Sequence, residues 1–383
     1  MNINWKTYKL GDISKFQTGK LNSNAAVENG KYPFFTCSPT TLAIDDYAFD
    51  KEAILLAGNN AEGNFSIKYF KGKFNAYQRT YIIETKNDIC DIKFLFYALK
   101  ICLHQFKQMS QGTSTKFLTA VILNNFEISL PSLEEQRKIA GILGAIDDKI
   151  ENNRRINTNL ELQAQALFEE WLSRTSTTKG VFNDIIKTTI AGDWGQENKQ
   201  GNYTHEVFCI RGADIPTLRN GDKGKMPIRY ILEKNYNTKQ LQANDIVVEI
   251  SGGSPTQSTG RVCMVTQSLL QRLGKDLVCT NFCRAITPKD NYAIFIFLYW
   301  QMLYNKNTMF SYENGTTGIK NFNIVDFISK EEIEIPSSND VEKLNEILQP
   351  MYNQIYANGL QNETLATLRD TLLPKLMNGE IKL

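Results

Sequence analysis

Apolar residues recur at steps of three and four across residues 131–172, at Ile139, Ile142, Leu143, Ile146, Ile150, Leu160, Ala164, Leu167 and Trp171. That spacing draws one stripe along a single long helix. In the middle the stripe narrows to Asn153 and Asn157, polar residues at seam positions. Ser132 followed three residues later by Glu135, with Pro131 just outside, reads as a capping box at its start. Such a helix spans roughly 60 Å at 1.5 Å per residue, so it is a spacer as well as a core element.

The stretch occurs twice. Subtracting 205 from the numbering of residues 336–376 superposes Leu344 on Ile139, Ile347 on Ile142, Leu348 on Leu143, Met351 on Ile146, Ile355 on Ile150, Leu365 on Leu160 and Leu372 on Leu167. Apolar positions can coincide through shared periodicity alone. The same shift also brings Pro336 onto Pro131, and Asn358 and Asn362 onto Asn153 and Asn157, which periodicity does not supply. We therefore read a tandem repeat. An Asn at a seam either fixes the register of a helix pair at some cost in stability or simply faces solvent. Pro350 and Gly359 predict a kink or interruption in the second helix that the first lacks.

Before each helix lies a stretch with the mixed pattern of an α+β domain. In the first, residues 5–13 read as a short strand or turn, 53–57 (AILLA) as a buried strand, and 66–70, 73–75 and 79–83 as further strands. Residues 91–106 have helical spacing, and 109–116 (MSQGTSTK) read as a polar, Gly-containing loop. The second stretch repeats the order: FNDI at 182–185 answers LGDI at 10–13, the strand 245–250 answers 53–57, the dozen apolar residues 292–303 answer 91–106, and ENGTTG at 313–318 answers SQGTST at 110–115. Arg284 then falls opposite Arg79. The expected organisation is domain 1–130, helix 131–175, domain 176–335 and helix with tail 336–383, with residues 173–180 as the linker between halves. Two long antiparallel helices, packed as a coiled coil with internal pseudo-twofold symmetry, let each apolar stripe bury the other.

Composition narrows the chemistry. A chain of 383 residues holds two domains with real cores. No basic-then-apolar leader and no apolar run of 18 residues is present, so a cytoplasmic protein away from membranes is expected. Seven cysteines without pairing order and only two histidines, His104 and His205, argue for reduced thiols and against a metal site. Net charge is +2. Residues 1–130 carry 15 basic and 11 acidic side chains (+4) and residues 179–335 carry 18 and 16 (+2), so positive charge sits outside the long helices, where a polyanion would be met.

Catalytic signatures are missing. No Pro-Pro dipeptide exists for an adenine-methylating [DNS]-Pro-Pro-[YF] loop, and no Phe-x-Gly-x-Gly turn for a methionine cofactor. Gly-Lys occurs five times but never precedes Ser or Thr, so no phosphate-cradling P-loop is present. Glu84-Thr85-Lys86 and Glu380-Ile381-Lys382 have nuclease-like spacing without the preceding Pro-Asp.

The layout, with PSLEEQRKIA at 131–140 and LRDTLLPKLMNGEI at 368–381, resembles the specificity subunits of type I restriction-modification systems over essentially the whole chain. The resemblance implies two target-recognition domains, each reading one half of a bipartite, asymmetric double-stranded DNA site, with the gap between halves set by the helices. It implies no catalysis and no cofactor of this chain's own; two modification (methyltransferase) subunits would dock on the helices and carry S-adenosylmethionine, with restriction subunits added in a full complex. Two alternatives stay open: a specificity subunit of a fused nuclease-methyltransferase or orphan system, and a coiled-coil scaffold without a DNA target.

Base edges are read by Asn, Gln, Arg, Ser and Thr, and phosphates are held by Lys, Arg and hydroxyls. Three loop groups in each domain offer them. In the first domain they are Asn59, Asn60 and Asn64; Tyr77, Gln78 and Arg79; and Gln111, Thr113, Ser114, Thr115 and Lys116. In the second they are Ser251, Ser254, Thr256, Gln257, Ser258 and Arg261; Asn281 and Arg284; and Asn314, Thr316, Thr317 and Lys320. Lys73, with Lys68 and Lys71, could clamp phosphates or line a solvated strand face. The same residue types are also ordinary turn formers.

Overall fold

A computed structural model describes residues 5–86, 88–254, 257–315 and 320–383, which form two compact units, Met1–Asp148 with Leu365–Leu383, and Lys149–Thr364.

In the first unit, strands β1 (Lys6–Lys9) and β10 (Glu127–Leu130) pair antiparallel where the chain enters and leaves the domain. The strands β2 (Ser14–Thr18), β3 (Tyr32–Phe35), β4 (Leu42–Ile44), β5 (Phe49–Ala57), β7 (Ile67–Ala76) and β8 (Thr80–Thr85) make one sheet, in the order β2-β8-β5-β7-β3-β4. The two short strands expected at 66–70 and 73–75 are one continuous strand, β7. Side chains alternate across β5, as the period of two requires. Ile54 and Leu56 pack with Phe94, Leu95 and Leu99 of the helix Ile92–Ile101, while Ala53 and Leu55 pack with Phe35, Phe74 and Ile82 on the other face. Two two-residue strands, β6 (Asn59–Asn60) and β9 (Lys116–Phe117), pair just beyond the end of β5.

The second unit repeats this plan with insertions. Strands β11 (Thr177–Val181) and β22 (Glu332–Pro336) pair as β1 and β10 do, so part of the expected linker is a strand. β12 (Ile186–Ala191), β19 (Cys283–Pro288), β15 (Ile246–Glu249) and β17 (Val262–Met264) follow the order of β2-β8-β5-β7. β13 (Tyr203–Ile210), β14 (Ile228–Leu232) and β18 (Leu277–Cys279) form a second sheet, in which β13 runs parallel to β18 as β3 runs parallel to the end of β7. The long strand β7 is thus split in this unit, with the helix Gln267–Leu273 between its two pieces. β16 (Ser251–Gly252), β20 (Glu313–Asn314) and β21 (Lys320–Phe322) answer β6 and β9. The helix Ala293–Asn305 is apolar on all sides because it is buried on all sides, with Phe295, Leu298 and Trp300 fully enclosed.

Equivalent glycines fix both sheets at one point. Gly19 follows β2 and Gly192 follows β12, and a Cβ on either would overlap backbone carbonyls, of Ala76 and Tyr77 in one domain and of Cys279 and Thr280 in the other. Only glycine permits that approach.

The long helices run Leu133–Arg174 and Ser338–Met377. Ser132 Oγ accepts from Glu135 N at 3.2 Å, and at the equivalent place Ser337 Oγ accepts from Asp340 N at 3.3 Å. Within the second unit the four Asn of the seams are buried, none more than 6% exposed, and bonded across the pair. These bonds pair rising numbers on one helix with falling numbers on the other, so the two run antiparallel there. Ile142 and Leu167 are not part of the buried stripe: they are 38% and 42% exposed, while Phe168 takes the inward place. Neither Pro350 nor Gly359 interrupts the second helix. Pro350 is exposed and so is Glu346, whose carbonyl loses its partner to the proline and can turn to water. Gly359 is where the loop residue Gly221 lies against the helix, since a Cβ there would collide with the Gly221 carbonyl.

Among the described residues, no helix is long and apolar enough to cross a membrane, and no group of three or more His, Cys, Asp or Glu is placed to hold a metal ion.

Candidate nucleic-acid interface

The three candidate loops of the first domain meet at the C-terminal end of β5, around a single residue. Gly58 donates its N–H to the Arg79 carbonyl at 2.8 Å and accepts from the Leu118 N–H at 2.9 Å. The first bond ties in the turn of Tyr77, Gln78 and Arg79. The second continues the β6–β9 pairing, which sets Asn59 opposite Phe117 and Asn60 opposite Lys116. Tyr81 reinforces the junction by donating its hydroxyl to the Leu118 carbonyl at 3.0 Å, and burial raises its pKa.

The same junction recurs in the second domain. Ile250 donates to the Phe282 carbonyl and accepts from the Phe322 N–H, both at 2.9 Å. Ser251 and Gly252 then pair with Asn321 and Lys320. Continuing each chain from these bonds makes Lys116 equivalent to Lys320 and Gln111 to Asn314. It also makes Arg79 equivalent to Phe282, not to Arg284. Thr80 N has the role in one turn, donating to the Tyr77 carbonyl, that Cys283 N has in the other, donating to the Thr280 carbonyl.

Around the first junction the candidates divide. Arg79, Gln78, Gln111, Thr113 and Ser114 are exposed, and Tyr77, Thr115, Lys116 and Asn59 are half-buried. Asn59 Oδ1 is a buried acceptor with no protein partner. Asn60 does turn chemistry: its Oδ1 accepts from the Glu62 and Asn64 N–H groups, each at 2.9 Å. Asn64 bonds Glu62 and receives Lys107 Nζ at 2.9 Å, so a cation outside the expected set joins the cluster. Gln78 donates to Asn22 at 2.8 Å. Lys73 stands apart. It pairs with Asp50 at the opposite end of β5, about eight residues or 26 Å along the strand, and its ammonium lies 4.6 Å from the Tyr47 ring, whose hydrogen bond raises its pKa.

Around the second junction, Gln257, Asn281 and Asn314 are exposed, and Ser251 and Lys320 are half-buried. Ser251 Oγ donates to Asn321 at 2.8 Å, Lys320 pairs with Glu313 at 2.9 Å, and Ser254 Oγ accepts from Gln257 N at 3.0 Å. Thr256, Thr316 and Thr317 lie outside the described residues. Three candidates are committed to the fold. Ser258 is 3% exposed, under Tyr304, which bonds its carbonyl. Arg261 holds Glu249 with two hydrogen bonds of 2.8 and 2.6 Å, which raise the guanidinium pKa. Arg284 is half-buried on β19, in register with Val248 and Ala191, and its Nε is enclosed without a partner. A reader at these places would have to abandon its present environment.

Sequence reasoning passed over Lys107, Phe117, Trp194 and Phe282, the last three of them 37%, 37% and 62% exposed. Large rings left open beside polar turns were the available signal, since an aromatic on a turn tip has no core to serve. A positively charged, hydroxyl- and amide-rich loop cluster with open rings is suited to holding phosphates and contacting bases.

The chain is similar to known proteins in sequence and in fold. A family model described as the type I restriction modification DNA specificity domain matches residues 2–162 and 174–365, once for each domain. The chain is 40% identical over 222 residues to the type I restriction enzyme EcoDI specificity subunit of Escherichia coli, covering 57% of this chain and 47%, under half, of that relative. It is 25% identical over 418 residues to the type I restriction enzyme MjaIX specificity subunit of Methanocaldococcus jannaschii, covering 99% of this chain and 94% of that one. In fold it is similar to the crystal structure of a type I restriction-modification S subunit from M. genitalium, with a TM-score of 0.57 and 18% identity over 98% of this chain and 96% of the other.

Proposed function

This chain belongs to the type I restriction-modification DNA specificity family, and we propose that it acts there as a non-catalytic reader of double-stranded DNA, each domain taking one half of an asymmetric bipartite site. The observation that carries this reading is the repeated three-loop junction at Gly58 and Ile250, built by the same hydrogen bonds and clothed in different side chains. Equal scaffolds with unequal tips fit two unlike half-sites. Adenine methylation, with its S-adenosylmethionine, then falls to two modification subunits docked on the helices, and restriction subunits are added to that assembly. Ile142 and Ile347, equivalent under the repeat, keep 38% and 55% of their surface open, which supports docking of the same partner twice.

The test is the salt dependence of duplex binding by the chain together with its methyltransferase. Affinity should fall linearly on a log–log plot against salt, and replacing Arg79 and Lys116 by Ala should lessen the slope by about one for each phosphate that the variant no longer neutralises. An unchanged slope in both variants would mean that neither residue neutralises a phosphate, and absence of duplex binding would remove the reading itself.

A further inference from the structure

A cavity of about 440 Å³ opens beside the second junction, lined mainly by apolar surface and flanked by Trp194 and Phe282, with Ser251 and Asn281 on its rim. Its size falls in the range of small-ligand sites, which reading base edges from a groove does not require. Three features make it a built slot. Trp194 is braced by Arg229, a guanidinium 5% exposed whose centre lies 3.6 Å from the ring centroid. Phe282 is 62% exposed on a turn tip. Glu249, 4% exposed, contributes a carboxylate to the wall, locked by Arg261 through one hydrogen bond to each oxygen. Gly212 and Gly252 leave room for that carboxylate, since a Cβ on either would crowd Oε1.

The geometry points to an everted nucleobase carrying an exocyclic amino group, adenine or cytosine, as the occupant of this slot. A carboxylate with two acceptor sites still unused takes N–H donors, and the open rings take a flat π-face. Arg211, also in the wall, is held by Asp214 through hydrogen bonds of 2.9 and 3.0 Å. A base reaches such a cavity only by leaving the stack. The residues that build the slot are not repeated in the first domain: at the equivalent places it has Ala57 for Glu249, Arg79 for Phe282 and, two residues after the shared glycine, Leu21 for Trp194.

This inference rests on the DNA-reading function, and its test separates the two. Duplexes carrying the chain's own site, located by its methylation pattern, are given single mismatches at each position of the half-site read by the second domain, and are bound to the complex of chain and methyltransferase. Mismatching lowers the cost of extrusion. Wild type should bind one mismatched duplex about tenfold more tightly than the matched one, and Phe282→Ala, whose melting temperature verifies its fold, should lose that gain. A gain at a base extruded by the methyltransferase persists in Phe282→Ala, so the difference between the two proteins is the readout. No such difference at any position overturns the slot and leaves the DNA-reading function standing; failure to bind the matched duplex overturns that function instead.

Discussion

Asn358 donates a hydrogen bond of 2.7 Å to Asn157, and exchanging each residue for its repeat equivalent gives the second bond of the seam, Asn153 to Asn362 at 2.9 Å. One interaction is therefore made twice by the two copies. Asn157 Nδ2 also reaches the carbonyls of Ile355 and Asn220, each at 3.0 Å. A one-residue slip of either helix would break all of these at once, which is how a buried polar seam specifies register.

Replacing Asn157 or Asn358 alone by Leu strands its buried partner and should destabilise the chain by about 1–3 kcal/mol. Replacing both should cost clearly less than the sum, because no unsatisfied group remains between them. Urea denaturation of the two single variants and the double variant measures this. Additive losses would mean that the pair does not act as a unit.

Gly359→Ala distinguishes helix propensity from packing. Propensity alone predicts a gain of about 1 kcal/mol. The Gly221 carbonyl in the path of the new Cβ predicts a loss instead, of about 1–3 kcal/mol as for other overpacked sites. The sign of the shift in melting temperature decides.

Glu363 gives a pH dependence. Burial by itself would raise its pKa, but the hydrogen bonds from Lys223 and Arg272 prevail and the net shift is downward. A carboxyl whose folded pKa is depressed stabilises the fold above its unfolded value, about 4.3, and that contribution is lost as pH falls through the lower folded value. Glu363→Gln should therefore be less stable than wild type at pH 7, with the gap closing below about pH 4. Parallel stability curves would show that the ion pairs contribute nothing.

The helices and the repeat were legible because period and polar exceptions coincided: Asn153, Asn157, Asn358 and Asn362 marked the seam that the structure buries. The expected kink at Pro350 and Gly359 was not found, since a proline's freed carbonyl can turn to water and a glycine can serve an approaching loop, and neither circumstance is written in local sequence. Aligning residues 75–79 with 280–284 as one ungapped string paired Arg79 with Arg284. The spacing between equivalent elements differs along the chain, as the segment from Gln267 to Leu273 that divides the counterpart of β7 shows, so the true partner, Phe282, lay two residues away. The burial of Ser258 and the capture of Arg261 by Glu249 depend on long-range packing that loop composition does not encode.

Arg79 and Arg284 now separate as tests. Arg79→Ala removes an exposed cation from the junction and should weaken DNA binding by about 1–3 kcal/mol if the guanidinium reads a base, with little change in melting temperature. Arg284→Ala, a half-buried position within a strand, should instead lower the melting temperature. Equal effects of the two on DNA binding would restore their equivalence.

The central claim is that the two junctions read two unlike half-sites, and the most direct measurement is long-read mapping of adenine methylation in cells carrying the wild-type chain, no chain, or the Arg79→Ala, Lys116→Ala double variant. The account predicts a bipartite asymmetric motif with wild type, its disappearance without the chain, and relaxation confined to one half in the variant. Methylation that does not depend on the chain, or a variant motif unchanged in both halves, would contradict it.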